Sequence, residues 1–263
     1  MPSISAFLCV VSFITTPSFL LAATPAGDPL LRVMIDAGHG GIDAGAVVGS
    51  ARESEIALSV AKALERRLKS DSRFVALMTR DRDQMLSLSE RVRRADAAEA
   101  DLFLSIHANS SPDQRARGVE FYFQNQLPPD EESLFLAASE NKMENVVEAA
   151  YASDDLKKES DVRSIVEDLK RQVRLQKSFL LSRSLARTWQ KDEKIDAGSI
   201  RQAPFFVIAK SARPAVLVEL GFLTNPIEAR KLMKSATQEQ IAARIHHGLV
   251  EYLGRHQTKF PLN

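Results

Sequence analysis

Cysteine is nearly absent from this 263-residue chain: the single one, Cys9, lies in an apolar amino-terminal stretch. From residue 27 onward the chain can form no disulfide, and it has no thiolate to act as nucleophile or metal ligand. An excess of one charge is missing as well. The 35 Lys and Arg stand against 34 Asp and Glu, for a formal net charge of +1. That excludes a global basic field for nucleic acid and an acidic, disordered chain, so any charged partner is met locally. There are no internal repeats and no low-complexity linkers. At 44% hydrophobic residues, the length suits one sizeable α/β domain and hardly two.

Ala6 to Ala23 is almost wholly apolar, broken by Ser12, Thr15, Thr16, Pro17 and Ser18, and is followed by further small residues up to Ala26. This is the pattern of a secretory h-region and cleavage site, although Met1 to Ser5 carries no Lys or Arg. Residues 1–26 are therefore expected to be a signal peptide for export to the periplasm. The polar interruptions and Pro17 make a poor spanning helix.

Leu31–Asp36 reads as a buried strand, followed by a glycine-rich loop from Gly38 to Gly49. Ile56, Val60, Leu64 and Leu68 recur at spacings of four and predict a helix over Ser54 to Lys69, with Glu53 at its start. Phe74–Met78 reads as a strand, and Ser87 with Glu90 as a capping box before a helix carrying Leu88, Val92 and Ala95. Leu102–Ile106 is the next strand, and Gly118–Phe123 another, antiparallel or at an edge. The rhythm then breaks. Between residues 128 and 194 there are two charged amphipathic stretches, Glu131 to Ala152 and Val162 to Trp189. In the first, Leu136, Met143, Val147 and Ala150 share one side, and Glu140, Glu144 and Glu148 form a stripe on another. Strands resume at Phe205–Ala209 and Ala215–Glu219, with a closing helix from Gln238 to Leu253. The alternation predicts a single three-layer α/β/α domain: a mostly parallel, twisted sheet with helices on both faces, plus a helical insertion at 128–194.

Two histidines stand where apolar runs stop. His39 lies in the turn Gly38 to Gly41 after the first strand, and His107 follows Leu102–Ile106; Glu219 closes Ala215–Val218. In an open α/β sheet, ligands bind beyond the carboxyl ends of the strands, so these distant residues can converge. Two imidazoles and a carboxylate with an open fourth position form a catalytic zinc set, leaving a further carboxylate as general base. Glu53 and Glu219 are the two candidates for those carboxylate roles. The glycine-rich turn lacks the Lys-Ser/Thr ending of a phosphate loop and the spacing of a dinucleotide loop. His246, His247 and His256 read as surface or packing residues. Nothing local pairs Glu219, which precedes Leu220-Gly221-Phe222; such burial is costly and demands a metal, a cation or a raised pKa.

The runs Val33–Gly41 (V-M-I-D-A-G-H-G-G), Arg52–Leu58 (R-E-S-E-I-A-L), Leu102–Asn109 (L-F-L-S-I-H-A-N) and Leu217–Pro226 (L-V-E-L-G-F-L-T-N-P) resemble the zinc-dependent N-acetylmuramoyl-L-alanine amidases, in order and spacing as well as content. The resemblance spans about Leu31 to Leu253, and Met78–Asp83 and Arg201–Ile208 share in it. It implies a catalytic domain over 27–263 that cleaves peptidoglycan, with His39, Glu53 and His107 as zinc ligands and Glu219 as the catalytic glutamate. The family's Glu-Lys-Asp helix entry is here Glu53-Ser54-Glu55; register with Ile56 and Leu58 selects Glu53 over Glu55. Members that act in cell division carry a helical segment that occludes the active site. The resemblance therefore implies a regulatory insertion at 128–194, with Glu140 of Ala138-Ser139-Glu140-Asn141 reaching the zinc and an activator protein displacing it. A monomer without a nucleic-acid partner is expected. Two other readings compete: a zinc carboxypeptidase-like peptidase, with Arg201 or Arg213 holding the substrate's terminal carboxylate, and a cell-wall binding module that has lost catalysis.

Overall fold

The computed structural model describes residues 30–125, 127–142, 161–190 and 199–256. The expected signal peptide with Cys9, and Glu144 and Glu148 of the acidic stripe, lie outside the described residues. The six-stranded sheet runs in the order β4 (Phe74–Met78), β1 (Leu31–Ala37), β5 (Leu102–Asn109), β8 (Ala215–Phe222), β6 (Glu120–Phe123), β7 (Ser199–Gln202). The first four strands are mutually parallel, β6 is antiparallel to β8, and β7 is parallel to β6. A two-stranded ribbon, β2 (Val47–Val48) with β3 (Ala51–Arg52), lies in the loop after β1.

Strand residues alternate between two apolar clusters. Val33, Ile35, Leu104 and Val218 face α1 (Glu53–Lys69), α4 (Asp161–Gln190) and α7 (Ser235–His256); Met34, Phe103, Tyr122 and Leu217 face α2 (Leu88–Ala97), α3 (Glu131–Glu140) and α5 (Phe206–Ala209). Burial on both faces explains why the central strands read as continuous apolar runs. The expected three-layer architecture is the one observed. Ser87 caps α2, accepting a hydrogen bond from the Glu90 amide.

One local expectation is corrected. Phe205–Ala209 is not a strand: Phe205 is an extended N-cap and Phe206–Ala209 a single helical turn. A short buried apolar run carries no period that separates strand from helix. The strand of that region is Ser199–Gln202, whose half-buried residues at the sheet edge show no apolar alternation. The expected antiparallel strand within Gly118–Phe123 is β6, which β7 covers on its outer side. Helix α6 (Pro226–Leu232) had not been anticipated; Asn225 caps it by accepting from the Ile227 and Glu228 amides, with Pro226 at its first turn.

The 128–194 segment is not uniform. Leu181, Leu185, Ala186 and Trp189 of α4 are fully buried in the main core, and Ser178 accepts a hydrogen bond from the Ala215 amide. Upstream, Ile165, Leu169 and Val173 are exposed. The carboxyl half of α4 is thus part of the domain core, whereas Ile165, Leu169 and Val173 of its amino half are not.

Candidate metal centre and active site

The turn carrying His39 is held from below by two buried arginines. Arg80 donates from Nε to the Ala37 carbonyl (2.8 Å) and from Nη2 to the Gly38 carbonyl (2.7 Å). Arg91 donates to the carbonyls of Ala37 (2.6 Å) and His39 (2.8 Å). Asp36, fully buried, pairs with Arg91 at 2.8 Å and accepts from Thr79 and Ser105. Burial alone would raise the Asp36 pKa, but the Arg91 charge and these hydrogen bonds outweigh it and hold the carboxyl below its usual range. The clamp sustains an uncommon backbone: His39 has φ of 55°, a left-handed conformation that costs a non-glycine residue roughly 1–3 kcal/mol.

Above this clamp the side chains converge. His107 on β5 stands opposite Glu219 on β8, and Glu219 opposite Glu120 on β6, so the three share one rung of the sheet. Glu53, at the start of α1, reaches over the strand ends. Its Oε1 lies 2.9 Å from His107 Nδ1 and 3.1 Å from His39 Nε2, and it accepts from the Ala108 amide. Its Oε2 accepts from the Ala46 amide. Glu140 of α3 completes the group, with Oε2 at 3.2 Å from His39 Nε2 and 3.6 Å from His107 Nδ1. Close approach needs glycine at two places: a Cβ on Gly38 would overlap the His107 ring, and one on Gly45 would strike Glu53 and His39. Glu55 stays in solvent beside Arg52, so the helix entry brings Glu53 alone to the cluster.

The donor set fits a divalent cation. His39, His107 and Glu140 each offer a ligand atom within 4.8 Å of the others, and Glu53 lies within the distances above. His39 Nε2 is buried with no hydrogen-bond partner among the described residues, although two carboxylate oxygens stand close; Glu219 Oε2 is likewise unpartnered. Burial first, then the charges of Glu53, Glu140 and Glu120, push the Glu219 pKa well above its ordinary value. Burial would lower the His39 pKa, but Glu53, Asp43 and Glu140 outweigh it and raise it. The cluster is short of positive charge at the point where the ligand atoms meet, a deficit that a bound metal ion would fill.

The sequence of the N-acetylmuramoyl-L-alanine amidase family matches residues 33–251. The chain belongs to that family. AmiA of Escherichia coli is 31% identical over 222 residues, covering 84% of this chain and 75% of that protein. A probable AmiB of Haemophilus influenzae is 31% identical, covering 91% of this chain and 55% of that one. Among solved structures, the catalytic domain of CwlV from Bacillus (Paenibacillus) polymyxa var. colistinus superposes with a TM-score of 0.64 at 27% identity, over 86% of this chain and 99% of that one. AmiC2 of Nostoc punctiforme gives a TM-score of 0.63, also at 27% identity, over 86% and 98%. The chain is accordingly an amidase.

In this amidase α3 lies across the site. Its docked face carries Ser133, Leu136, Ala137 and Glu140, at helical spacings of three, four and seven; Ser133 and Ala137 are fully buried. The two small residues permit a close approach that delivers Glu140 to the histidines. The expected separation of Leu136 from Glu140 is thus not found, and the outward apolar residues are Leu134 and Phe135, 43% and 74% exposed. Both ends of α3 are tied to the β7–α5 segment. Arg201 donates to Glu132 (2.7 Å); Asn141 donates to the Pro204 carbonyl and accepts from the Phe206 amide. Arg213 sits at the opposite end of β8, 3.8 Å from Asp96, outside the site. His246 pairs with Asp71 at 2.9 Å, also outside it.

One functional neighbour escaped the sequence reading. Asp43 Oδ2 lies 2.8 Å from His39 Nδ1, and its Oδ1 accepts from the Gly45 amide. If Nδ1 carries the proton, Nε2 is left as a lone pair aimed at the other ligands. A carboxylate four residues after a candidate ligand, inside a glycine-rich turn, was the available signal. Asp43→Ala should weaken metal affinity roughly 10–100-fold, read by competition with a chromophoric chelator. Unchanged affinity in a folded variant would remove Asp43 from this role.

Proposed function

We propose that this amidase hydrolyses the amide between N-acetylmuramic acid and L-alanine in peptidoglycan using zinc held by His39, Glu53 and His107, and that α3 keeps it inactive until a partner protein lifts that helix. The observation that carries the reading is the Glu140 carboxylate, set between the two histidines by a helix tied down at both ends. It takes the position at which a substrate or water would meet the metal.

Zinc, when bound, polarises a carbonyl and acidifies water. The chain's own part is proton handling. Glu219 is buried, unpartnered at Oε2 and raised in pKa by its acidic neighbours. It accepts a proton from the attacking water and returns it to the leaving amine, base turning into acid within one cycle. Glu53 is held by two backbone amides and serves position rather than proton transfer. The Asp43 contact orients His39, and the Arg80–Arg91 clamp fixes the turn beneath it.

The same reading places the protein in the periplasm, acting in cell-wall remodelling and daughter-cell separation. Export rests on the residues 1–26 pattern; among the described residues no helix is long and apolar enough to cross a membrane.

The test compares the full chain with Glu140→Ala on purified peptidoglycan, following turbidity and the released stem peptides. Removing the carboxylate should raise basal hydrolysis, since a closed-state bias of about 1.4 kcal/mol already hides tenfold of the activity. The released peptides should carry a new amino-terminal alanine. Release of carboxy-terminal residues instead would establish the peptidase reading. A folded, zinc-loaded Glu140→Ala protein no faster than its parent would refute occlusion by this side chain.

A further inference from the structure

A second charged centre lies along the same rung of the sheet. Glu120 stands two strands from His107, about 10 Å away at ordinary strand spacing. Its Oε2 accepts from Asn109 Nδ2 (3.0 Å) and the Tyr122 hydroxyl (2.8 Å). Its Oε1 pairs with Arg201 Nε at 2.9 Å. Glu120 is nearly buried and fully engaged, so it holds the Nε edge of the guanidinium in a fixed orientation. The other edge faces α3, where Arg201 Nη1 meets Glu132 Oε2 at 2.7 Å, with Asp130 3.7 Å away.

The inhibitory helix therefore places two carboxylates in the cleft, Glu140 on the histidines and Glu132 on Arg201. When α3 lifts, Glu132 and Asp130 leave with it. Arg201 keeps Glu120 and presents an unpaired guanidinium edge to the cleft. An exposed planar fork beside a catalytic centre is suited to a carboxylate. We propose that Arg201 binds a free carboxylate of the peptide stem, on the leaving-amine side of the scissile bond, and that Glu132 fills this subsite in the closed enzyme. Glu132 on Arg201 and Glu140 on the histidines are eight residues apart on α3. That is about 12 Å at ~1.5 Å per residue, or about three to four extended residues, which puts the recognised carboxylate near the third residue of the peptide. The inference rests on the peptidoglycan amidase reading above, and it assigns Arg201 to substrate specificity, not to a step of the reaction.

The test uses the full, zinc-loaded chain carrying Glu140→Ala, with two soluble disaccharide-peptide fragments, one with free stem carboxylates and one with those carboxylates amidated. The ratio of kcat/KM for the two is independent of how often α3 is open, because both fragments meet the same population of enzyme. The free fragment should be preferred roughly tenfold or more, the value of a charge-assisted hydrogen bond. Adding Arg201→Gln should bring the ratio to within about twofold by raising the KM of the free fragment relative to the amidated one, while turnover on both fragments rises because the same tie to α3 is lost. Adding Glu132→Gln instead should raise turnover on both fragments and leave the ratio intact. If Arg201→Gln does not fold, Arg201→Lys, which keeps a charge for Glu120 but not the fork, must lower the ratio several-fold. A preference that survives the loss of Arg201, or no preference at the outset, overturns the proposal. Cleavage of neither fragment would overturn the amidase reading, and this subsite with it.

Discussion

Glu219→Gln is expected to leave the fold and the metal intact and to lower peptidoglycan hydrolysis by roughly 10²–10⁴-fold, the range of general acid–base contributions. The amide has the shape of the acid but cannot take up a proton. Glu219 is buried on the rung beside His107, and burial together with Glu53, Glu140 and Glu120 opposes its ionisation. A carboxylate kept in such a place burdens the folded state, so the same substitution should also raise the melting temperature. Opposite signs for activity and stability are the mark of a residue retained for its chemistry. Wild-type hydrolysis by a folded Glu219→Gln protein would make Glu219 structural and end the proposed mechanism.

The second large effect is metal loss. His39→Ala and His107→Ala should each purify with little or no zinc, because either change leaves a single imidazole in the cluster. Elemental analysis decides it, and full occupancy in both variants would sink the ligand assignment. The consequence extends to stability. Glu53, Glu140 and Glu219 crowd around the two histidines, and a cation that binds only the folded chain stabilises it in proportion to the logarithm of its concentration over Kd. Stripping the wild-type protein with a chelator should therefore lower its melting temperature, and re-adding zinc should restore it. His107→Ala should show no such response.

The sequence by itself determined the sheet-and-helix alternation and where its chemistry would gather. Apolar runs broken by His39, His107 and Glu219 mark the carboxyl-terminal parts of β1, β5 and β8, because strands buried on both faces are mostly apolar. A polar residue inside them, such as Asp36 or Ser105, is held by buried partners. The four-residue period of α1 likewise located Glu53 at a helix start. These signals are local: each reflects the contrast between core and solvent along one element.

What only the tertiary structure decided depends on how elements lie against each other. Whether Phe205–Ala209 would be strand or turn was settled by the second core cluster it fills, and β7 became the edge by pairing with β6. Glu140 comes close to the histidines through Ser133 and Ala137, whose small side chains let that face of α3 approach them. Asp43 behind His39, the Arg80–Arg91 clamp, and Arg201 between Glu120 and Glu132 are polar contacts between elements or across a turn. Strand register and layer order bring such groups within hydrogen-bond reach, and no periodicity along a single element encodes either.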